Sequence, residues 1–106
     1  MHMVVFITVG KSEEAEKIGR ALVKERLAAC VNVIGPMRSV YWWKGKIEEA
    51  KEHLLIVKTT GENLEGLTSR VKGLHSYEVP EVIALKIEGG SDDYLRWVEE
   101  NTSLVG

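Results

Sequence analysis

Cysteine is nearly absent: Cys30 is alone among 106 residues, so no intrachain disulfide can form, which fits a reducing compartment or indifference to redox. No stretch approaches the ~18 consecutive apolar residues of a membrane span. The opening MHMVVFITVG is apolar but has no cationic start and no small-residue cleavage site, so it does not read as a secretory signal. Excess charge of either sign is missing as well. The 14 Lys and Arg nearly balance the 16 Asp and Glu, for a net charge of −2, without the concentrated basic face of a nucleic-acid binder. Linkers, low-complexity tracts and solenoid-period repeats are also lacking. These absences point to a single domain over residues 1–106. The expected setting is the cytoplasm, with neither membrane nor nucleic acid as partner. Asn101-Thr102-Ser103 matches a glycosylation acceptor, which such a setting makes accidental.

What is present is a regular alternation of elements. Val4 to Val9 is an apolar run broken only by Thr8 and predicts a buried strand. Ser12 is expected to cap a helix, with Glu13 and Glu14 at its positive end. Ala15, Ile18, Gly19, Leu22 and Val23 then recur at the spacing of one buried helix face. Cys30–Trp43 and Lys46–Thr59 read as two extended arms joined by a Lys44-Gly45 turn. A second helix is predicted from near Glu62 to Leu74, a strand from Val82 to Ile87, and a last helix capped by Ser91 and bearing Tyr94, Leu95, Trp97 and Val98. The order β-α-β-β-α-β plus a terminal helix is that of an α+β, ferredoxin-like sandwich with a long hairpin between its second and third strands.

That hairpin is too long for its domain. Arms of about 14 residues at ~3.3 Å each span about 46 Å, whereas a chain of this length should form a globule only about 33 Å across. Gly35-Pro36 offers a bend that would fold the arm back. The alternative is an overhanging tip, VYWWKG, whose Tyr41, Trp42 and Trp43 are sheltered by another subunit.

Chemistry concentrates in GLHSYEVPE, residues 73–81. His75, Tyr77, Glu78 and Glu81 have neither HExxH spacing nor that of a calcium loop. A histidine at a helix end more often bonds the last carbonyls than an ion. Free cysteines are usually small core residues, yet a thiolate with an imidazole would suit copper or zinc. In the usual strand order of this fold Cys30 and His75 open opposite sheet edges, so a site made of both would be shared between chains. His53 reads as solvated or interfacial, and His2 as disordered. No nucleophilic constellation is apparent, and Gly89-Gly90-Ser91 could seat an anion only in a very common way. An enzyme is therefore not expected.

Three strings, ERLAACVNV (25–33), YWWKGKIEE (41–49) and HSYEVPEV (75–82), jointly resemble the CutA divalent-cation tolerance family, over about Val4 to Asn101. The resemblance implies a cytoplasmic homotrimer of ferredoxin-like subunits, similar in architecture to the trimeric PII signalling proteins. It also implies tolerance of divalent metal ions, with proposed copper binding and no firm catalytic activity. Carried onto this chain, the implied metal ligands are Cys30 and His75, with Glu78 as a weaker candidate. The PII likeness adds a second expectation, a small anion held in clefts between subunits by Arg38, Lys58, Tyr77 and Glu81. A third is a non-catalytic assembly scaffold. One departure stands out: the family's loop usually reads His-Pro-Tyr, and Ser76 replaces the proline here. Losing a fixed φ is expected to loosen His75.

Overall fold

The computed structural model describes residues 1–102. Ser103, and with it the end of the Asn101-Thr102-Ser103 pattern, lies outside the described residues. Four strands, β1 (His2–Val9), β2 (Cys30–Trp43), β3 (Lys46–Thr60) and β4 (Val82–Lys86), form one sheet in the order β2-β3-β1-β4. Every neighbouring pair is antiparallel. The described residues also form three α-helices, α1 (Ser12–Lys24), α2 (Leu64–Leu74) and α3 (Asp92–Glu100), with a short 3-10 turn at Gly61–Asn63 ahead of α2. This is the predicted ferredoxin-like α+β fold with its terminal helix, and β2 has the predicted bounds.

Strand alternation divides the sheet into two unlike faces. Val5, Ile7, Val9, Leu55 and Val57 point to one side and are fully buried under Ile18 and Leu22 of α1 and Leu67 and Val71 of α2. Each such side chain contributes about 1.5–3 kcal/mol on leaving water. The other side carries Val4, Phe6, Ile34, Leu54, Ile56, Ile83 and Leu85, set by register in rows such as Asn32–Ile56–Phe6–Ile83. α3 covers only one end of it, where Glu99 lies 3.5 Å from His2. Ile34, Ile83 and Leu85 stay exposed on this apolar face. His2, expected to be disordered, instead opens β1 opposite Thr60.

The two caps differ. Ser91 caps α3 as predicted, its hydroxyl accepting from the Tyr94 N–H. At α1 the helix already includes Ser12, and the capping position falls to Lys11, which gives no side-chain bond.

The hairpin runs straight out of the sheet. A bulge between Ile34 and Met37, containing the cis Gly35-Pro36 bond, shifts the register without folding the arm back, and pairing resumes from Met37–Glu52 to Trp43–Lys46. Lys44 and Gly45 both have positive φ, +49° and +79°, which matches the type I′ turn whose twist suits a two-residue hairpin. The longest molecular dimension is therefore 45 Å, against 25 and 21 Å for the others. Trp42 and Ile47 face each other across the arms at 72% and 63% exposure.

Candidate functional site

The 75–81 loop meets the base of the hairpin, and His75 shows how it is tied down. Its N–H donates to the Val71 carbonyl at 2.8 Å and ends α2. The side chain is fully buried, but it does not turn back to the helix carbonyls. The β1–β4 ladder stops at Ile7–Val82, which leaves the next β1 carbonyl, that of Thr8, without a strand partner on that side. His75 Nε2 takes it at 2.7 Å. The other ring nitrogen, Nδ1, accepts the Tyr77 N–H at 3.0 Å. A carbonyl on one side and an N–H on the other define a neutral ring protonated at Nε2.

Both nitrogens of His75 are thus engaged and out of solvent. The expected role of His75 as a metal ligand does not fit this geometry: no lone pair faces outward to meet an ion. Cys30, half-exposed at the start of β2, is far away. It lies level with Val4 across β3, whereas His75 lies at Thr8. Four residues along and two strands across amount to a separation of more than ~15 Å. Among the described residues no three His, Cys, Asp or Glu side chains come together as a group able to hold a metal. Cys30 instead neighbours Tyr94, whose hydroxyl is held above its usual range by burial and then by Cys30.

Ser76 overturns the expectation that losing the proline loosens the loop. Its N–H and its hydroxyl both donate to Glu14 Oε2, at 3.1 and 3.0 Å. A proline has neither donor. The same carboxylate oxygen stands 3.6 Å from His75 Nδ1, so the first turn of α1 braces the loop through one side chain.

Beyond Ser76 the loop opens on a cavity of about 650 Å³ between itself and the hairpin. Tyr77 lies over Gly10, where a Cβ would come within 2.8 Å of its hydroxyl oxygen, and its ring is 4.7 Å from that of His75. The Tyr77 hydroxyl donates to Glu52 Oε2 at 2.8 Å. Burial, then this bond to Glu52, pushes the tyrosine up to about 12, so it remains a donor throughout the physiological range. Glu78 and Glu81 line the same cavity with Glu52. Glu81 holds its proton more tightly than an ordinary glutamate, through loss of water and then through the charge of Glu52.

Sequence reasoning did not single out Glu52. A signal existed: by alternation Glu52 shares a face with Leu54 and Ile56, so a carboxylate heads an otherwise apolar row. The cations expected to join Tyr77 and Glu81 do not. Arg38 is on the outer hairpin beside Glu49, 3.7 Å away, and Lys58 donates to the Asn32 side chain on the open sheet face. His53 is half-buried beside Gly35, its Nδ1 enclosed without a hydrogen bond.

Comparison with known proteins agrees with this architecture. The family model described as CutA1 divalent ion tolerance protein matches residues 3–101. A relative from Thermus thermophilus, the divalent-cation tolerance protein CutA, is 51% identical over 96% of this chain and 99% of its own. The chloroplastic CutA of Arabidopsis thaliana is 49% identical over 94% of this chain, which spans only 55% of that protein's length. The solved structure of the Thermus protein, Cut A1, superposes with a TM-score of 0.95 at 50% identity, covering 97% of this chain and all of that one. Strand order, hairpin and the 75–81 loop therefore stand in known company: this chain belongs to the CutA1 divalent ion tolerance family.

Proposed function

We propose that the protein serves divalent-cation tolerance in the cytoplasm as a non-catalytic homotrimer that holds copper, or a related ion such as zinc, at boundaries between chains. The observation that carries this reading is Cys30. It is the one thiol, half-exposed and at the start of the edge strand β2, and the described residues of one chain surround it with no completed donor set. Thiolate suits soft and borderline ions, so the remaining ligands come from a neighbour, with exposed Glu78 as a candidate. His75 contributes only by leaving its buried pocket.

Assembly is supported independently. The open sheet face and the Trp42–Ile47 pair at the hairpin end leave neighbouring large apolar side chains in water, the mark of an interaction surface. A contact of the β2 edge with the next chain's β4 edge is head-to-tail, a geometry that forms a ring where the rotation between chains closes. A ring of three is the assembly the family resemblance implies.

Sedimentation should give a particle of three times the 11.9 kDa chain mass. Isothermal titration with Cu²⁺ and Zn²⁺ should show binding that Cys30→Ser weakens by about tenfold or more, roughly 1.4 kcal/mol. Unchanged binding in Cys30→Ser would overturn the thiol's role. A lone chain at micromolar concentration would overturn the shared site. Fractionation of cells expressing the protein checks the compartment.

A further inference from the structure

His53 stands at the junction between the four-stranded sheet and the two-stranded arm. The β1–β3 ladder ends at Val9–His53, so toward the hairpin turn His53 is the last β3 residue with a β1 partner. Beyond it only β2 pairs with β3. His53 also faces the bulge. Pairing with β2 passes from Ile34–Leu54 to Met37–Glu52, which leaves Gly35 and Pro36 opposite His53 alone. Two residues against one interrupt the ladder, and such a bulge bends its strand and raises the local twist. Pro36 has no N–H with which to restore the bonding. A two-stranded ribbon also twists more than a wider sheet, so backbone pairing alone fixes the direction of the arm poorly.

The His53 ring takes up the room that glycine leaves. A Cβ on Gly35 would come within 2.6 Å of His53 Cδ2 and 3.0 Å of Cγ, nearer than the 3.1 Å to the Glu52 carbonyl oxygen. The residue is half-buried, and its Nδ1 is enclosed by the chain itself without a hydrogen bond. Packing, rather than bonding at that nitrogen, holds the ring. Because the contact lies within one chain, association with other copies neither makes nor replaces it. We propose that His53 is a positioning residue: its ring, wedged against Gly35 opposite the bulge, sets the direction in which the outer hairpin leaves the sheet. From Met37 to Trp43 the arm extends about 20 Å. A tilt of about 15° at the bulge would carry its end about 5 Å, more than the roughly 4.0–4.5 Å of an apolar contact. The wedge thereby decides where Trp42 and Trp43 meet a neighbouring copy, a consequence that rests on the proposed homotrimer, as the wedge itself does not.

Thermal melting of Gly35→Ala, His53→Ala and the double variant, at one protein concentration, tests the contact. Gly35→Ala should melt below the wild type, and removing the ring should return part of that loss, so the double variant melts above Gly35→Ala. Effects that simply add would overturn the wedge. Should Gly35→Ala not fold, the ring is tested alone by sedimentation of His53→Ala and His53→Phe. His53→Ala should keep its far-ultraviolet spectrum and raise the dissociation constant of the assembly several-fold. His53→Phe restores a flat ring and should assemble as the wild type does. Wild-type assembly in His53→Ala would overturn the positioning role, and so would a His53→Phe no better than His53→Ala. A wild type that sediments as a lone chain would remove the homotrimer and not the wedge. The arm is then read by small-angle scattering, in which His53→Ala should depart from the 45 Å longest dimension and His53→Phe should keep it; an unchanged His53→Ala would again overturn the proposal.

Discussion

Replacing His75 separates two roles that a sequence cannot distinguish. If the ring is a metal ligand, its loss should abolish ion binding and spare the fold. If it is the tie between the loop and β1, the fold should suffer first. The structure allows the second outcome to be sized. His75→Ala leaves the Thr8 carbonyl and the Tyr77 N–H without their partners at 2.7 and 3.0 Å, each costing about 1–3 kcal/mol when buried. Removing a fully buried ring also opens a void beside Tyr77. The expected loss is on the order of 3–5 kcal/mol, a large share of the roughly 5–15 kcal/mol that holds a domain folded.

Two further substitutions dissect it. Asn places its side-chain oxygen near the Nδ1 position and can keep the Tyr77 N–H satisfied, while Gln places an NH₂ near Nε2 and can keep the Thr8 carbonyl satisfied. Each should recover part of the loss, and by different bonds. Urea denaturation of the wild type and the three variants, at one fixed protein concentration because any association of folded chains adds to apparent stability, gives the comparison. A loss in His75→Ala smaller than about 1 kcal/mol, together with abolished Cu²⁺ binding, would refute the reasoning and return the ring to metal ligation.

Trp42→Lys combined with Ile47→Lys puts two like charges on the facing hairpin pair; sedimentation should then show single 11.9 kDa chains with the far-ultraviolet spectrum retained. Glu81, raised above its ordinary 4.5, binds its proton more tightly folded than unfolded, so stability should fall as pH rises through that raised range. Glu81→Gln should remove this slope and melt higher at neutral pH. By the same sign Tyr77, at about 12 folded against 10.0, should cost stability between those values, and ultraviolet titration should find it ionising late. Ser76→Pro loses both donors to Glu14 and regains about 0.4–1 kcal/mol of chain stiffness; a net loss of about 1 kcal/mol is expected in denaturant melts, with Ser76→Ala intermediate.

Local features were legible in the sequence because their causes are local. The periodicity of Ala15, Ile18 and Leu22, the Lys44-Gly45 turn and the Ser91 cap each act within a few residues, and each appears where expected. The overhang was legible too, since arm length and globule size are both set by residue counts; the molecule's longest dimension is 45 Å, beyond the about 33 Å expected of a globule of this length. The partners of the 75–81 loop were not. Glu14, Glu52 and Thr8 lie 62, 25 and 67 positions from the residues they bind, distances closed only by strand pairing. Gly35-Pro36 could have been a fold-back or a bulge. The choice rests on whether Met37 finds Glu52 across the ladder, which composition does not encode.

The loop divides at Tyr77 into halves with different physics. On the His75 side each polar group meets one of opposite character: ring nitrogen with carbonyl, ring nitrogen with N–H, serine donors with Glu14. Such a network stiffens the fold and has no free valence for a solute. On the Glu81 side the charges are alike, and burial together with the charge of Glu52 holds the Glu81 proton more tightly, an arrangement that costs stability at neutral pH. Tyr77 joins the halves, its N–H committed to His75 and its hydroxyl to Glu52. Substitutions before it should therefore lower stability, while removing the Glu81 charge after it should raise stability at neutral pH. A protein in which Glu81→Gln melts lower at neutral pH while His75→Ala melts unchanged would have these halves the wrong way round.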